Sequence, residues 1–144
     1  MVIGTITEAV GIWFFSNKTK RYLYLLRNDP KNPEKWGLPG GKQEKDETLL
    51  ETINRECIEE IGSFPEYIKL VPIEKFTTQN GKFIYHTFFC LVEDEFIPVL
   101  NNEHTGYCWI DNGIIPKPLH PGLWATLKID EVYEKIDKIE KLYT

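Results

Sequence analysis

Three glutamates in one short segment have the residue type and spacing of a metal site for a diphosphate. Glu56, Glu59 and Glu60 follow the turn-forming run Pro39-Gly40-Gly41. At about 100° per residue, these carboxylates fall on one flank of a helix and can converge on one point. Carboxylates this close repel each other, and Mg²⁺, which binds carboxylates, water and substrate phosphates, would relieve the repulsion. The spacing predicts a divalent-metal site, and the competing interpretation is a solvated acidic helix face.

Local signals define the helix that must carry these carboxylates. Thr48 followed three residues later by Glu51 forms a capping-box pattern, so a helix is expected to begin there. Gly62 is a natural place for it to end. The apolar residues with helical spacing form one predicted core face: Leu50, Ile53, Cys57 and Ile61.

The segment resembles the Nudix box, written G-x5-E-x7-R-E-U-x-E-E-x-G-U, where U is a bulky aliphatic residue. All the fixed letters of that pattern are present, at Gly41, Glu47, Arg55-Glu56, Glu59-Glu60 and Gly62. Two U positions differ, with Cys57 at the first and Ser63 at the last. Cysteine is a small residue that is often buried, so Cys57 fits the core face, while Ser63 indicates a looser helix exit.

The rest of the chain predicts strands before and after this helix and a second helix at the end. A tight hairpin is expected at Asn80-Gly81. The predicted strands are Thr5–Phe15, Arg21–Arg27, Ile68–Thr77, Lys82–Val92 and Gly106–Ile110. The predicted second helix carries Ile129, Val132, Tyr133, Ile136 and Ile139 at helical spacing. This pattern indicates an α/β or α+β protein, and the resemblance implies the Nudix α/β/α sandwich, a mixed β-sheet between helices, as a single domain over residues 1–144.

Composition excludes several other classes of protein. A formal charge of −5 over 144 residues argues against non-specific nucleic-acid binding, which needs a basic surface. The sequence has no amino-terminal signal pattern and no apolar run of membrane-spanning length. The three cysteines have no CxxC spacing, which argues against a disulfide framework or a zinc site. We therefore expect a cytoplasmic protein with reduced thiols.

The resemblance implies hydrolysis of a nucleoside diphosphate linked to another group, with attack by a metal-activated water on one phosphorus. The implied cofactor is Mg²⁺, with Mn²⁺ as a substitute, and the implied ligands are Glu56, Glu59 and Glu60. The carbonyl oxygen of Gly40 or Gly41 is a further candidate ligand, because glycine lets the main chain approach closely.

Candidate catalytic residues are Glu56, Glu103 and Arg55. Either Glu56 or Glu103, the latter on a late loop, could act as the general base, and an exposed structural role is equally compatible with Glu103. The resemblance implies that Arg55 holds a glutamate of the box in place and that Glu47 supports the metal site. By spacing alone, Glu51 is an equally good partner for Arg55.

Candidate substrate-binding residues are Arg27 and Lys42 for phosphate and Trp36 for stacking on a base. Each has a structural alternative: a surface role for Arg27, solvation for Lys42 and core packing for Trp36. Other aromatic residues on predicted strands are interpreted mainly as core, namely Phe83, Tyr85 and Trp109. The histidines lack metal-ligand spacing, and no metal is assigned to His86, His104 or His120.

Two other activities are compatible with a Nudix scaffold. One is a non-catalytic module that senses or binds nucleotides, and the other is a diphosphate isomerase, which needs a reactive cysteine and additional histidine ligands that the pattern lacks. Within the hydrolases, the stretch Thr77–Gly81 has neither the proline typical of ADP-ribose hydrolases nor the tyrosine typical of dinucleoside-polyphosphate hydrolases. Sugar nucleotides, modified nucleoside triphosphates and capped RNA stay open as substrates, the RNA being disfavoured by the acidic charge. A homodimer also stays open.

Overall fold

A computed structural model describes residues 5–31, 33–111, 116–120 and 130–143. These residues contain seven strands and two helices. The strands are β1 (Thr7–Ser16), β2 (Tyr22–Arg27), β3 (Trp36–Gly37), β4 (Gly40–Lys42), β5 (Lys69–Thr77), β6 (Phe83–Val92) and β7 (His104–Ile110). The helices are α1 (Leu49–Ile61) and α2 (Asp130–Tyr143).

All seven strands belong to one mixed sheet. Five strands lie side by side in the order β3-β2-β1-β6-β5. In addition, β4 pairs with β1, and β7 pairs with β2. The long β1–β6 pair is parallel, and the other pairs are antiparallel. The predicted mixed sheet is confirmed.

An opening between β1 and β2 is filled by the short strands β3 and β4, which the sequence did not predict. The strands β1 and β2 pair at Phe15 and Tyr22 and then diverge. Beyond that point β4 pairs with residues 9–11 of β1, and β3 pairs with residues 25–26 of β2. The amide of Ile12 also donates to the carbonyl of Pro39 at 2.8 Å. The glycine turn is thus built into the sheet rather than projecting from it.

Helix α1 begins and ends as predicted. Thr48 is the N-cap, and its hydroxyl accepts from the amide of Glu51 while the Glu51 carboxylate accepts from the amide of Thr48, both at 3.1 Å. Gly62 closes the helix in the left-handed region, with φ +91°. One residue of the predicted core face is wrong: Leu50 is 52% exposed, and Leu49 packs against the core instead.

The sheet separates two hydrophobic cores, one for each helix. Ile53, Cys57 and Ile61 of α1 pack with Val10, Ile12, Phe14 and other residues on one face. Ile136 and Ile139 of α2 pack with Trp13, Phe15, Phe89 and other residues on the opposite face. This is the predicted α/β/α sandwich. Ile129 and the side chains of Val132 and Tyr133 lie outside the described residues.

The predicted strands agree with the observed ones to within about two residues at each end, and the hairpin turn contains Gly81 at φ +71°. Cys57, Cys90 and Cys108 are free thiols. In the described part of the chain, no helix combines the length and apolar character needed to cross a membrane.

Candidate active site

Two carboxylates of α1 meet the main chain of the glycine turn. The amide of Gly40 donates to Oε1 of Glu60 at 2.7 Å. A Cβ atom on Gly41 would stand 2.4 Å from the carboxyl carbon of Glu56. The close approach of Glu56 therefore requires glycine at position 41.

Arg55 fixes the position of Glu56. Its guanidinium donates to Oε1 of Glu56 at 2.8 Å, to both carboxylate oxygens of Glu47 at 2.7 and 3.0 Å, and to the carbonyl of Lys42 at 2.8 Å. Glu47 also accepts from the Thr52 hydroxyl at 3.0 Å. The alternative partner suggested by spacing, Glu51, is wrong, because its carboxylate caps the helix.

Glu59 lies at the edge of this arrangement. Its side chain is 53% exposed, and one carboxylate oxygen lies 3.5 Å from Nη1 of Arg55. Within the described residues, no three acidic, histidine or cysteine side chains already converge on one point as metal ligands would. Of the three predicted metal ligands, Glu56 and Glu60 lie against the glycine turn, and Glu59 lies at its edge.

Burial controls the electrostatics of these carboxyl groups. Desolvation raises the pKa of Glu60 to about 8, although its hydrogen bond from the Gly40 amide acts in the opposite direction. Burial also raises the pKa of Glu56, and Arg55 opposes that increase. The hydrogen bond from Arg55 lowers the pKa of Glu47 to about 2. A cation beside Glu56 and Glu60 would favour their charged forms.

A cleft of about 520 Å³ opens beside Glu56 and Glu60. Three other predicted site residues, Arg27, Lys42 and Glu103, line it. The carboxylate of Asp29 accepts from Nε of Arg27. The backbone of Glu103 is fixed by hydrogen bonds to Asn101 and to the amide of Asn28, at 3.0 and 2.7 Å. These residues, predicted from distant parts of the sequence, share one cavity.

Trp36 lies elsewhere. It is partly buried and packs against the core on the α2 side, and it is absent from the described lining of the cleft. Its main chain bonds to Pro118 and His120 at 2.8 and 2.7 Å. This placement favours the core role for Trp36 over stacking on a base.

The sequence interpretation did not assign several lining residues to the cleft, among them Phe83, Tyr85 and His120. Phe83 and Tyr85 were expected to be mainly core, and His120 was given no role. The alternation of Phe83 and Tyr85 on β6 was visible in the sequence, but a strand pattern does not tell which end of a sheet face a helix covers. His120 reaches the cleft because residues 118–120 bond to Trp36, a contact that no local pattern predicts.

A mixed sheet between two helices, with a glycine turn facing two helical carboxylates, defines the class of protein. The model of the NUDIX domain matches residues 5–128, and the chain belongs to this family.

Two named relatives and one solved structure are similar to this chain. The dihydroneopterin triphosphate diphosphatase of Haemophilus influenzae is 31% identical over 118 residues, covering 72% of this chain and 73% of that protein. A proposed 8-oxo-dGTP diphosphatase 3 of Mycobacterium tuberculosis is 31% identical over 96 residues, covering 63% of this chain and 44% of that protein. Among solved structures, the MutT protein of Methanosarcina mazei has a TM-score of 0.66 and 26% identity, with 98% and 99% of the two chains covered.

Proposed function

We propose that this protein is a Mg²⁺-dependent hydrolase that cleaves a pyrophosphate bond in a nucleoside diphosphate linked to another moiety. Family membership and the two diphosphatase relatives assign the chain to the pyrophosphohydrolases. The observation that carries the proposal is the contact of Glu56 and Glu60 with the Gly40-Gly41 main chain at the edge of the cleft.

The residues at this position fit a hard divalent cation. Carboxylate and carbonyl oxygens are the ligands that Mg²⁺ prefers, and the missing side chain at Gly41 leaves the main chain open to close approach. We assign Glu56, Glu59, Glu60 and the carbonyl of Gly40 or Gly41 as the groups that would hold the ion. When bound, Mg²⁺ would neutralise phosphate charge and acidify a water molecule.

The chain's own residues would position the reactants for hydrolysis. Water adds to phosphorus and gives up a proton to a general base, the bridging P–O bond breaks, and the departing phosphate takes the bonding electrons. Lys42 and Arg27 line the cleft and would bind phosphate oxygens, although Arg27 must then share its charge with Asp29. Arg55 is a positioning residue, because it holds Glu56 through its guanidinium.

Two residues can serve as the general base. Glu56 is engaged by Arg55, whereas Glu103 lines the cleft from a separate loop. A Glu103→Gln variant distinguishes them. If Glu103 is the base, kcat falls by about 100-fold or more while Mg²⁺ affinity is unchanged. If Glu56 is the base, Glu103→Gln changes kcat only slightly.

The relatives guide the choice of substrate. One acts on dihydroneopterin triphosphate, and the other is a proposed diphosphatase of 8-oxo-dGTP. Triphosphates of modified nucleosides and of pterins are therefore the first compounds to test, followed by sugar nucleotides. The test is a screen for phosphate and pyrophosphate release with Mg²⁺ and with Mn²⁺.

The Glu60→Gln variant tests whether any activity depends on the proposed site. We expect its kcat/KM to fall by about 100-fold or more, since the amide cannot bind the ion as the carboxylate does. Glu66→Gln, at an exposed position outside the cleft, is the matched control and should keep full activity. Absence of turnover in the wild-type protein would favour the nucleotide-binding module, and an active Glu60→Gln would contradict the proposed site.

A further inference from the structure

The cleft contains one arginine, Arg27, whose main chain is fixed on both sides. Arg27 ends β2, and its amide donates to the carbonyl of Lys35 while its carbonyl accepts from the amide of Glu34, both at 2.9 Å. The register of the β2–β7 pair shifts between Leu26 and Arg27. Irregularities of this kind re-aim side chains beside active sites. The fold therefore sets where the Arg27 side chain begins, and this side chain lines the cleft.

A carboxylate fixes the guanidinium end of the same side chain. One oxygen of Asp29, Oδ2, accepts from Nε of Arg27. The other, Oδ1, accepts from the amide of Lys31 at 3.1 Å, which is the pattern of an Asx turn. The side chains of Arg27 and Asp29 are 32% and 20% exposed, so solvent screens this ion pair less than a fully exposed one. Asp29 therefore joins the arginine to an ordered turn.

The contact with Asp29 uses only one N–H group of the guanidinium. Among the described residues, Nη1 and Nη2 of Arg27 donate no hydrogen bond. A guanidinium binds phosphate best through two parallel N–H groups, and Nη1 and Nη2 carry the remaining ones. The end of the Arg27 side chain can therefore bind a phosphate while Asp29 keeps Nε.

The negative charge of Asp29 has two opposite effects on phosphate binding. It repels a phosphate, and it also orders a long side chain whose immobilisation would otherwise weaken binding. Lys42 lines the same cleft and supplies positive charge, whereas among the described residues only Asp29 is bonded to the Arg27 guanidinium. We therefore expect the ordering effect to be the larger one.

We propose that Asp29 is a positioning residue that holds Arg27 in the orientation in which it binds a substrate phosphate. The proposal rests on the proposed function for the presence of a phosphate in the cleft. Asp29 is absent from the described lining of the cleft, so it acts through Arg27 and not by touching the substrate. Its effect should fall on substrate binding and not on the chemical step.

The kinetic test uses Asp29→Asn. The asparagine keeps an oxygen for the Lys31 amide, but its NH₂ group cannot accept from Nε of Arg27. For the nucleoside triphosphate that is hydrolysed fastest in the screen, we expect KM to rise about 3- to 10-fold with little change in kcat. A fall in KM would show that repulsion by Asp29 is the larger effect and would overturn the proposal.

Two further variants control for charge and for route. Asp94→Asn removes the same charge from an exposed position outside the cleft and should leave KM unchanged. In an Arg27→Ala background, Asp29→Asn should raise KM no further, because its effect passes through Arg27. An additive rise in KM in the double variant would overturn the proposed route.

A spectroscopic test needs no turnover. The Nε–H signal of Arg27 in a ¹H–¹⁵N spectrum is identified by its loss in Arg27→Lys. It should exchange slowly with water in the wild type and rapidly in Asp29→Asn, because a hydrogen-bonded N–H is protected from exchange. The ligand is methylenediphosphonate with Mg²⁺, whose bridge cannot be hydrolysed. At saturation the Nε–H should stay protected, and loss of protection would show that phosphonate displaces Asp29 and would overturn the proposal.

The outcomes separate the role of Asp29 from the proposed function. If the protein hydrolyses no nucleotide but its affinity for methylenediphosphonate falls about 3- to 10-fold in Asp29→Asn, the proposed function fails and the role of Asp29 is supported. If the protein is an active hydrolase and Asp29→Asn alters neither KM nor this affinity, the role of Asp29 is overturned. A protein that neither hydrolyses nucleotides nor binds methylenediphosphonate would overturn both.

Discussion

At the scale of single residues, the site depends on the absence of a side chain at Gly41. The carboxylate of Glu56 occupies the space that a side chain at position 41 would fill, and Arg55 holds it there. The charge of Glu56, the fork of Arg55 and the bare main chain of Gly41 therefore form one unit. We expect a change at Gly41 or Arg55 to move the carboxylate of Glu56, which contacts both.

We predict that Gly41→Ala lowers kcat/KM by about 10- to 100-fold, the usual cost of disturbing groups that orient metal ligands. The new Cβ atom would lie 2.4–2.6 Å from the carboxyl atoms of Glu56, which must move. Steady-state kinetics over a range of Mg²⁺ concentrations would measure the loss and any decrease in metal affinity.

The matched control is Gly81→Ala in the hairpin, where φ is +71° and a Cβ atom would have no neighbour within 4 Å among the described residues. Backbone strain should lower the free energy of unfolding by about 1 kcal/mol and leave activity intact. Wild-type activity in Gly41→Ala would show that the position of Glu56 does not matter for turnover.

A second residue-scale prediction concerns stability and pH. His104 is buried, and its Nδ1 has no hydrogen-bond partner among the described residues. Burial, with a smaller effect of the Arg27 charge, lowers the pKa of His104 to about 4. In the unfolded chain, His104 has a pKa near 6.5. Between about pH 6.5 and pH 4 its imidazole is therefore protonated in the unfolded chain but not in the folded protein. The free energy of unfolding should fall in that window as pH decreases, by at most about 3 kcal/mol.

Urea denaturation of the wild type and His104→Gln between pH 7 and pH 4.5 measures this effect. The variant is expected to lose less stability on acidification, because the amide does not titrate. Parallel curves for the two proteins would contradict the assignment of this pH dependence to His104.

At the scale of elements, α1 is determined by its own sequence, whereas β3 and β4 are not. The cap at Thr48 and the left-handed end at Gly62 are local signals, and both predicted ends agree with the structure. The strands β3 and β4 are two and three residues long and exist through pairing with β2 and β1. No period can be detected in so few residues, and their partners are distant in sequence.

The same distinction between local signals and long-range contacts explains which residues of the candidate site could be predicted from the sequence. Glu56, Glu60 and Gly41 could be named from the spacing of the box alone. Phe83, Tyr85 and His120 could not be assigned to the cleft, because their place depends on where α2 covers the sheet and on the bonding of residues 118–120 to Trp36. Leu50 was assigned to the core by period, but Leu49 packs there because the buried side of α1 also includes Glu56 and Glu60 and is therefore centred nearer to Leu49.

An element-scale prediction follows from the cap. Thr48→Ala removes the hydroxyl that accepts from the Glu51 amide and should lower the free energy of unfolding by about 1 kcal/mol. The kcat should stay near that of wild type well below the melting temperature, because Glu56 lies two turns away. Thr48→Ser keeps the hydroxyl and should restore stability. A large loss of kcat in a folded Thr48→Ala would contradict the view that the cap serves only the helix.

At the scale of the whole molecule, the proposed metal site links ligand binding to stability. Glu60 is 5% exposed, and burial disfavours its charged form. An ion that binds the folded protein and not the unfolded chain raises the free energy of unfolding by RT ln(1 + [L]/Kd), which is about 2.7 kcal/mol at 100 times Kd.

We therefore predict that millimolar Mg²⁺ raises the melting temperature of the wild type but not that of Glu60→Gln. Thermal unfolding monitored by circular dichroism, with and without EDTA, provides the measurement. Ca²⁺ and Mn²⁺ test the selectivity for size. An equal shift in Glu60→Gln would place the stabilising ion elsewhere.

The divergence of β1 and β2 has a consequence for how mutations can affect substrate selectivity and turnover. Helix α1 packs on one face of the sheet, and its buried acids, Glu56 and Glu60, line the cleft together with Phe83 and Tyr85 of β6. We expect substitutions at Phe83 or Tyr85, which line the cleft from β6, to alter which compound is accepted while the packing of α1 on the sheet stays intact. Repacking under α1, at Cys57 or Ile53, would shift the acids and alter turnover of every compound alike. We therefore expect selectivity and catalytic power to respond to separate sets of mutations, one on β6 and one under α1.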